Sequence, residues 1–584
     1  MIRKVFRQML VSQIVSVMTV TLCLLIDSIM IGRFLGVDAM SAYGLSTPLL
    51  LMFAAFGAFI STGVQVMCGK TMGAGDRDAT DACFTGSALL VAGVSVVGLI
   101  VIFSFLSPIT TMLGAGRPGP GNTVFVPTRE YVKGFIIGAP AFLAAQVMVP
   151  YMQLSGNRLR LVVAVAAMIV ADVTFDLLNV FVFRGGMFGM GLASSLSYYV
   201  ALAIGVLYFF KKDCMFRFRP RTVRRSTCRD LLRYGMPVVV NQVCVVLQAY
   251  LLNQILLNVS GNLGVAAYSV ISTMGNTCYC FGTGVAAVAL MLSSIFYAEE
   301  DRSSLRELVR IMTRYDLILA LCVTALIVLG GGAISGLFLG SDPAAKALTG
   351  RGLRLFALCL TPSALNSTLK NYYQGTNRSW LTQLISLLQN LAMSVLSAFL
   401  LSRFLGVNGV WLGFLCGETA TLLILSAIVW KRRGRVELSA DAYAMLAPDF
   451  GAPAENCLER TIRTLDDAMD VSQQAADFCR THGLEPRLSN LISLCIEEMT
   501  VNIVTHGFVK DARPHQIDLR LVMQDDSRII RIRDNCINFD PTRYLELHKT
   551  EDPTAHVGIR MVLAMVRDVY YVNTLGLNNL TLTL

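Results

Sequence analysis

Acidic side chains interrupt the apolar stretches of this chain, and they are the first residues that could do chemistry. Asp27 follows VTLCLLI, while Asp172 and Asp176 lie four residues apart, with Asn179 three residues further on. Helical spacing places the last three on one face of a helix. Since a charge at the centre of a bilayer costs at least ~2.5 kcal/mol, such residues often carry ions or protons. We therefore expect Asp27, Asp172, Asp176 and Asn179 to share a Na⁺ ion or a proton; the alternative is a structural pair hydrogen-bonded to polar neighbours.

The second half of the chain has fewer such groups. Glu418, in FLCGETATLL, is the only carboxylate that the pattern places deep in an apolar stretch there. Lys370 is expected near a helix end, where its long side chain can reach the membrane surface. Gln242, Gln248 and Asn253 follow one apolar stretch, where they either line a polar cavity or hydrogen-bond across helices. These five residues are the candidate cavity residues of the second half.

A different set of motifs lies near the carboxyl end of the sequence. The segment IEEMTVNIVTHGF places Glu498 and Asn502 four residues apart, and therefore on one face of a helix. A second segment, IRIRDNCINFDP, contains Asp534 and Phe539. A third, AHVGIRM, contains Gly558 at the start of a predicted helix, and a helix N-terminus favours an anion. Glu498 and Asn502 alone could be an ordinary polar helix face.

Membrane-spanning helices must position the acids of the first half and the candidate cavity residues of the second half. Hydrophobic residues make up 54% of the 584 residues and charged residues 15%, with a mean hydropathy of +0.59. Soluble domains carry about 25% charged residues, so this composition excludes a wholly soluble protein. About 20 apolar residues cross a bilayer, and such stretches predict twelve spans in two sets of six. They are 10–35, 45–70, 84–107, 131–153, 160–183 and 189–210, then 236–258, 266–296, 313–337, 352–374, 380–402 and 408–430.

Charge is divided unevenly along the chain. Residues 441–584 hold 21 acidic and 14 basic residues, a net charge of −7, so the formal +10 of the chain leaves +17 for residues 1–440. The basic residues lie in short loops, above all 211–233, as the positive-inside rule predicts for cytoplasmic loops. We therefore expect a multi-pass protein of the cytoplasmic (inner) membrane, with both termini cytoplasmic and no nucleic-acid partner. The apolar N-terminal stretch favours a first transmembrane helix over a cleaved signal peptide.

The two sets of spans also resemble each other, since GMPVVVNQVCVVLQAYLLNQILLN opens the second set much as residues 10–35 open the first. Six-plus-six repeats are typical of secondary transporters. The segments IDSIMIGRFLGVDAMSAYGLSTP, QVMCGKTMGAGDRDAT and MFGMGLASSLS resemble those of MATE (multidrug and toxic compound extrusion) transporters, over about residues 5–432. The resemblance implies a two-lobed antiporter that is driven by Na⁺ or H⁺ and often exports organic cations. It matches Asp27 with the family's first-span aspartate.

A small domain is expected after the membrane part. Pro448, Gly451 and Pro453 mark a linker at 433–456. Beyond it the pattern predicts strands at 457–465, 515–524, 528–534, 568–574 and 579–584, and helices at 467–481, 487–507 and 557–567, with GLNNL as a closing hairpin. The predicted fold is an all-α polytopic membrane protein followed by an α/β sandwich. Its parts are lobes 1–210 and 236–432, the basic inter-lobe loop 211–235, the linker, and the C-terminal domain 457–584.

The three motifs of this last domain resemble those of the GHKL ATPase superfamily, nearest the anti-sigma-factor serine kinases. The resemblance implies that the domain binds ATP with Mg²⁺, which Asn502 holds against the phosphates, and Mg²⁺ suits such oxygen ligands. It implies that Glu498 orients water or an acceptor hydroxyl, in the catalytic role of the family. It also implies that Asp534 accepts a hydrogen bond from the adenine amino group and that Phe539 packs at the pocket.

Two family glycines are replaced in this chain. Cys536 stands at the glycine of the DxG motif, and His556-Val557 precede Gly558 of the phosphate loop. A missing glycine costs backbone freedom where the chain must approach phosphate closely. We therefore expect ATP binding and leave turnover or serine-kinase activity open. No HExxP helix precedes the domain, which argues against a sensor histidine kinase.

These observations predict an ion-coupled antiporter that exports small organic, mainly cationic compounds by alternating access. The C-terminal domain would regulate transport through ATP occupancy or signal from it. Two alternatives remain open. The membrane part could be a sensor whose C-terminal domain acts as a serine kinase or binding module for a cytoplasmic regulatory protein, or the chain could be a lipid-precursor flippase.

Overall fold

The first half of the chain folds into a lobe of long helices, here called the N-lobe. The computed structural model describes residues 2–584 except 36, 118, 120–121, 157, 210–213, 339–342, 510–513, 525–526 and 543–556. The N-lobe contains α1 (Ile2–Met30), α2 (Val37–Gly73), α3 (Arg77–Ser104), α4 (Leu106–Thr110), α5 (Phe125–Leu154), α6 (Arg158–Leu178) and α7 (Gly186–Phe209). Large apolar side chains such as Val97 and Ile100 are exposed on α3, as a surface in contact with lipid requires.

The second half forms the C-lobe. It contains α8 (Arg225–Cys278), α9 (Cys280–Ala298), α10 (Arg302–Phe338), α11 (Pro343–Ala357), α12 (Leu360–Gly375), α13 (Ser379–Leu387), α14 (Met393–Leu405) and α15 (Val407–Arg433). Ten helices of the described chain are long and apolar enough to cross a membrane. The predicted spans 10–35 and 352–374 fall outside those ten, on α1 and on the α11–α12 pair. The predicted span 266–296 is interrupted at Tyr279, between α8 and α9. Before it, the helix is broken at Gly261 (φ 61°, ψ −152°), in the expected loop, in a conformation that glycine tolerates.

The two lobes contact each other where α2 ends and α9 ends. A Cβ atom on Gly69 would lie 2.2 Å from Ser294 Oγ, and one on Gly73 would lie 2.5 Å from the Ile295 carbonyl oxygen. The Ser294 hydroxyl donates to the Gln65 carbonyl at 3.2 Å. These glycines therefore permit close helix packing between the lobes. We call this end of the membrane domain the tail side, because the C-terminal domain docks there.

Helical turns of the wider π form occur beside the polar residues predicted to be functional. Asp27 and Asp176 are each followed within a few residues by such a turn, and Asn502 directly precedes one. A fourth turn contains Gln389, which the sequence pattern does not single out but which donates to Glu418. A π turn accommodates an extra residue, redirects the side chains around it and is frequent at functional sites. The turns are Ile31–Leu35, Asn179–Phe183, Leu388–Ala392 and Ile503–Gly507.

The predicted linker connects the membrane domain to the C-terminal domain and is itself held by contacts. It contains the short helix α16 (Ala440–Ala444). The Tyr373 hydroxyl donates to the Tyr443 carbonyl at 2.9 Å, and Phe450 stacks on Tyr297 with ring centroids 4.9 Å apart. The segment therefore fixes the route of the chain toward the tail side.

The C-terminal domain has an antiparallel five-stranded sheet with helices on one face, which confirms the predicted α/β sandwich. Its elements are β1 (Cys457–Ile462), α17 (Leu465–Thr481), α18 (Pro486–Asn502), β2 (Ile517–Met523), β3 (Arg528–Asp534), α19 (Val557–Met565), β4 (Asp568–Thr574) and β5 (Leu577–Thr583). The strand order is β1-β2-β3-β5-β4. Ile496 of α18, Leu519 of β2 and Ile532 of β3 are buried in the core between the helices and the sheet.

The other face of the sheet points toward the membrane domain. Because side chains alternate along a strand, one row across the strands consists of Glu459, Arg520, Arg531, Thr581 and Tyr570. We call this the docking face. Its side chains are mostly charged or aromatic, and they contact the membrane domain.

The turn of the closing hairpin comes earlier in the chain than the sequence predicts, so β5 begins at Leu577 instead of at residue 579. Leu575 (φ 59°) and Gly576 (φ 72°) form the turn between β4 and β5, while Asn578 and Asn579 of GLNNL lie inside β5. A positive φ is uncommon for a residue with a side chain. The leucine side chain is nevertheless 4% exposed and packs into the core of the membrane domain.

Candidate functional site

Three of the predicted acids meet in the interior of the N-lobe. Asp27 on α1 is 4% exposed, and Asp172 and Asp176 on α6 are 1% and 0% exposed. The Asp27 carboxyl lies close enough to both other carboxyls for their charges to interact. The Ser194 hydroxyl of α7 donates to Asp27 Oδ2 at 3.1 Å. Helices α1 and α6 therefore bring Asp27 together with two carboxyls that lie 145 and 149 residues away in the sequence.

Several oxygens of this carboxyl cluster have no protein donor. Asp27 Oδ1, Asp172 Oδ2 and both carboxyl oxygens of Asp176 are buried without a hydrogen-bond partner among the residues that the structure describes. Carboxylates in contact repel each other unless a proton or a cation lies between them. Within the same described residues, no three acidic, histidine or cysteine side chains converge as a metal site. A shared proton or cation would therefore relieve the repulsion among these carboxyls.

Asn179 lies in a different place from the cluster. Its side-chain carbonyl accepts from the Gly185 amide at 3.1 Å, and its amide donates to the Gly186 carbonyl at 3.1 Å. A Cβ atom on Gly189 would lie 1.7 Å from Asn179 Oδ1. The π turn that begins at Asn179 directs this side chain into the connection between α6 and α7, where it stabilises the turn.

Glu418 on α15 lies in a polar network inside the C-lobe. Asn366 Nδ2 donates to its Oε2 at 2.8 Å, and Gln389 Nε2 donates to its Oε1 at 3.2 Å. Lys370 on α12 donates to Asn241 Oδ1 of α8 at 2.8 Å, instead of reaching the membrane surface. The carboxylate is therefore balanced mainly by amide donors, and the lysine ties two helices together.

The C-lobe contains a second deep acid, which corrects the expectation that Glu418 is the only one. Asp316 on α10 is 1% exposed, and within the described chain neither of its oxygens has a hydrogen-bond partner. It borders a cavity of about 20 Å³ that Tyr279 and Ala364 also line, enough space for about one water molecule. The sequence places Asp316 at the start of a predicted span. Because α10 begins at Arg302, the acid lies about four turns inside the helix.

The polar residues predicted along α8 are not brought together. Gln242 is exposed, while Gln248 and Asn253 are half-buried. Their separations of six and five residues place successive members on different faces of a helix with about 3.6 residues per turn. Asn253 Oδ1 is buried with no partner in the described part of the chain. A common cavity lined by these three residues remains a prediction.

The C-terminal domain contains a cavity of about 370 Å³ beside α18 and β3. Asn502, Asp534 and Phe539 all line it, together with apolar side chains such as Ile559 and Leu580. The three predicted residues therefore meet although they lie on a helix, a strand and a loop. A buried acceptor in an apolar cleft is an arrangement that can bind a planar ring with a polar edge.

Asp534 is fixed at the floor of this cavity. Its Oδ1 accepts from the Cys536 amide at 2.9 Å and from Asn578 Nδ2 at 2.8 Å. The Tyr571 hydroxyl donates to Asn578 Oδ1 at 2.7 Å. Burial raises the pKa of Asp534 above its ordinary value, although the hydrogen bonds from Cys536 and Asn578 oppose that rise. The three motifs do not include Asn578 or Tyr571; the alternation of side chains along β4 and β5 is the sequence signal that points to them.

The replacement of the motif glycine by Cys536 is accommodated without a strained backbone. Cys536 is not among the described non-glycine residues with positive φ. Its sulfur packs near Gly507, where an added Cβ atom would lie 3.1 Å away. The expected loss of backbone freedom therefore does not disturb the turn that holds Asp534.

Glu498 faces a different partner from Asn502. It does not line the cavity, and a Cβ atom on Gly558 would lie 1.9 Å from its Oε2. Gly558 thus provides room for the glutamate at the first turn of α19, where a helix N-terminus favours a negative charge. His556 lies outside the described residues.

The structure has two lobes of membrane-crossing helices around buried carboxyls, joined to an α/β domain with an apolar cleft. This architecture defines a membrane transporter with a fused C-terminal domain. The MatE family model matches residues 13–179 and 237–402, and the chain belongs to this family of transporters. A second model, described as a histidine kinase-like ATPase domain, matches residues 463–584.

Relatives of known name match the membrane part. The probable multidrug resistance protein YoeA of Bacillus subtilis is 25% identical over 430 residues, which cover 70% of this chain and 90% of that protein. The multidrug export protein MepA of Staphylococcus aureus is 20% identical over 400 residues, covering 68% and 86%.

Solved structures share the fold of the two lobes. An outward-facing multidrug resistance MATE family transporter of the MOP superfamily has a TM-score of 0.67 at 20% identity, with 74% of this chain and 96% of that chain covered. A MOP superfamily transporter from Pyrococcus furiosus has a TM-score of 0.68 at 20% identity, covering 76% and 97%.

Proposed function

We propose that this protein exports small organic, mainly cationic compounds in exchange for H⁺ or Na⁺, with the N-lobe carboxyl cluster as the ion site. The observation that carries the proposal is the contact of three buried carboxyls with oxygens that lack donors. The names of the relatives, which refer to multidrug resistance and export, support the export of small molecules. The basic loops support a cytoplasmic-membrane location with both termini in the cytoplasm.

The carboxyl cluster would drive alternating access through its charge. With an ion or proton bound, the carboxyls of Asp27 on α1 and Asp176 on α6 attract each other through the shared cation. Without it they repel, and the packing of α1 against α6 becomes less stable. An ion that binds the two packings with different affinity shifts the equilibrium between inward-facing and outward-facing states. Export would follow when the substrate prefers the state that the ion disfavours.

The C-terminal cavity has residues that fit ATP. Buried Asp534 offers an acceptor to an adenine amino group, Phe539 lines the cleft, and Asn502 offers an amide oxygen for Mg²⁺. Bound ATP would supply phosphate charge and a transferable phosphoryl group. Glu498 is turned toward Gly558 and away from the cavity, which favours nucleotide binding with a regulatory role over phosphoryl transfer to a serine.

The ion site is tested by Asp27→Asn in inverted membrane vesicles. Ethidium uptake is followed under an imposed proton gradient and, separately, a Na⁺ gradient. We expect at least about a tenfold loss of gradient-driven uptake, since the variant removes one member of a charge pair buried in the membrane. Asp38→Asn is the matched control, because Asp38 is exposed at the start of α2. Coupled uptake that survives unchanged in Asp27→Asn would reject the assignment.

A further inference from the structure

The hairpin of β4 and β5 is inserted into the tail side of the N-lobe. The Leu575 amide donates to the Leu154 carbonyl at 2.8 Å, and the Thr574 hydroxyl donates to the same oxygen at 3.1 Å. A Cβ atom on Gly156 would lie 2.5 Å from the Gly576 nitrogen. The turn of the hairpin therefore caps the connection between α5 and α6 at backbone distance.

The edge strand β4 contacts a second connection of the N-lobe. An Arg77 guanidinium nitrogen, at the start of α3, donates to the Tyr571 carbonyl at 2.7 Å. The Tyr570 ring packs so close to Gly75 that an added Cβ atom would lie 3.2 Å from it. The loop between α2 and α3 is therefore held against the docking face as well.

The same face holds the C-lobe through buried ion pairs. Arg533 contacts Glu299 at 2.7 Å, with side-chain exposures of 16% and 9%. Arg520 contacts Asp301 at 3.0 Å, with exposures of 11% and 8%. Burial alone would raise the pKa of Asp301, but Arg520 and the hydrogen bond from Ser304 outweigh it and hold the pKa below its ordinary value. Both acids lie in the connection between α9 and α10.

We propose that the docking face is an intramolecular clamp, which joins the tail-side connections of both lobes and is coupled to the nucleotide cavity on the opposite face. This rests on the proposed function, because alternating access requires the tail-side ends of the lobes to separate. The lobes touch at this end through Gly69 and Gly73. A domain that binds both lobes only when those ends are together stabilises the tail-closed state.

The nucleotide cavity and the docking face are coupled because successive side chains of one strand point to opposite faces of the sheet. Asp534 and Asn578 line the cavity, while their neighbours Arg533 and Asn579 lie on the docking face. The Arg533 Nε donates to Asn579 Oδ1 at 2.6 Å, and the cavity-side pair is bonded at 2.8 Å. Tyr571 presents its hydroxyl to the cavity network and its carbonyl to the N-lobe. A ligand that shifts these strands shifts both faces, and the effect on affinity is reciprocal.

Charge reversal across the C-lobe contact tests the clamp in the full-length chain in nanodiscs. Arg533→Glu and Glu299→Arg each place like charges together, and the double variant restores opposite charges. Hydrogen exchange at the Leu575 amide reports docking. We expect at least about tenfold faster exchange in each single variant and recovery toward wild type in the double variant. Arg480→Glu, an exposed arginine on α17, is the matched control and leaves exchange unchanged.

Exchange at Ile530, in the centre of the sheet, reports whether the domain is folded. If Arg533→Glu also raises exchange there, Glu299→Arg carries the test, because Glu299 lies outside the domain. Unchanged Leu575 exchange in a folded single variant, or an equal rise in the double variant, overturns the clamp.

Ethidium uptake into inverted vesicles tests what the clamp does. We expect both single variants to transport at least about fivefold faster than wild type, and the double variant to return toward it. Unchanged or slower transport in variants that have undocked overturns the proposed effect on access. If the wild type does not transport at all, the proposed function fails, while the exchange data still decide whether the domain docks.

The link to the cavity is tested with MgATP. We expect saturating MgATP to change Leu575 exchange at least about fivefold in wild type, with no change in Asp534→Asn at the same concentration. If calorimetry shows ATP bound to the wild type while Leu575 exchange stays the same, the coupling is overturned.

Discussion

Replacement of Asp534 by Asn gives the sharpest test of the C-terminal cavity, because it changes one atom of a buried, well-partnered group. The side chain is 4% exposed. The new amide oxygen can keep the hydrogen bonds from the Cys536 amide and Asn578 Nδ2, which are 2.9 and 2.8 Å long in the wild type. The new NH₂ group then replaces the carboxyl oxygen that would face the adenine amino group. The fold is retained while the acceptor is lost.

The expected effect is large. A hydrogen bond to a charged group contributes about 1.5–3 kcal/mol, and a buried donor left without an acceptor costs about 1–3 kcal/mol. A combined loss of about 3 kcal/mol corresponds to roughly a 100-fold weaker Kd for ATP. GTP has an acceptor where ATP has its amino group, so its affinity should fall less or rise. Titration calorimetry on the full-length protein in nanodiscs measures both nucleotides.

Asp477→Asn is the matched control for this experiment, because Asp477 is exposed on α17. An ATP Kd for Asp534→Asn within about threefold of wild type would refute the assignment of Asp534 as the adenine acceptor.

The same aspartate predicts how ATP binding depends on pH. Burial raises the pKa of Asp534, and only the ionised form offers the full acceptor strength. The affinity for ATP should therefore be highest at pH values above the raised pKa of Asp534 and should fall as the pH drops through that pKa. The fall should begin above the ordinary aspartate value of about 3.9, and it should be absent in Asp534→Asn.

Two further substitutions follow from close contacts and from an unpaired acid. Gly558→Ala adds a Cβ atom 1.9 Å from Glu498 Oε2. Because that oxygen is the end of a flexible side chain, the glutamate should move aside, and thermal unfolding should show a change of less than about 1 kcal/mol, smaller than for Gly483→Ala, whose φ of 75° strains any residue with a side chain. Asp316→Leu removes a buried carboxyl that has no hydrogen-bond partner in the described chain, so the free energy of unfolding should rise by about 2 kcal/mol. A lower midpoint of thermal unfolding in detergent would contradict this reasoning, because it would mean that the carboxyl has a stabilising partner.

The elements of the C-terminal domain follow from the sequence because local patterns specify them. Strands β3 and β4 have the predicted bounds, since apolar alternation ends at clear turn residues. The hairpin turn was misplaced because GLNNL combines turn-forming residues with a strand. Packing against Leu154 stabilises Leu575 in the left-handed region, and no local signal contains that contact.

The candidate sites were predictable to different degrees. Asp172 and Asp176 follow from helical spacing, and Asp27 follows from the cost of a charge in an apolar stretch. Asn179 was assigned to the same site because spacing cannot show that a π turn redirects its side chain. Asp316 was missed because the depth of a residue in a membrane depends on where its helix begins. The docking face was invisible for a related reason: its partners lie in loops more than 200 residues away.

The strand order also has a consequence for synthesis of the protein. Of the five described strands, β5 is made after the others, yet it lies between β3 and β4. The sheet therefore cannot close until that segment has left the ribosome, by which time the membrane helices have all been made. During this interval the transporter exists with its lobes inserted and its C-terminal domain incomplete. If the C-terminal domain clamps the lobes as we propose, nascent molecules pass through a stage without this restraint. Premature stop codons upstream of β5 should then yield transporters that are active but lack the clamp.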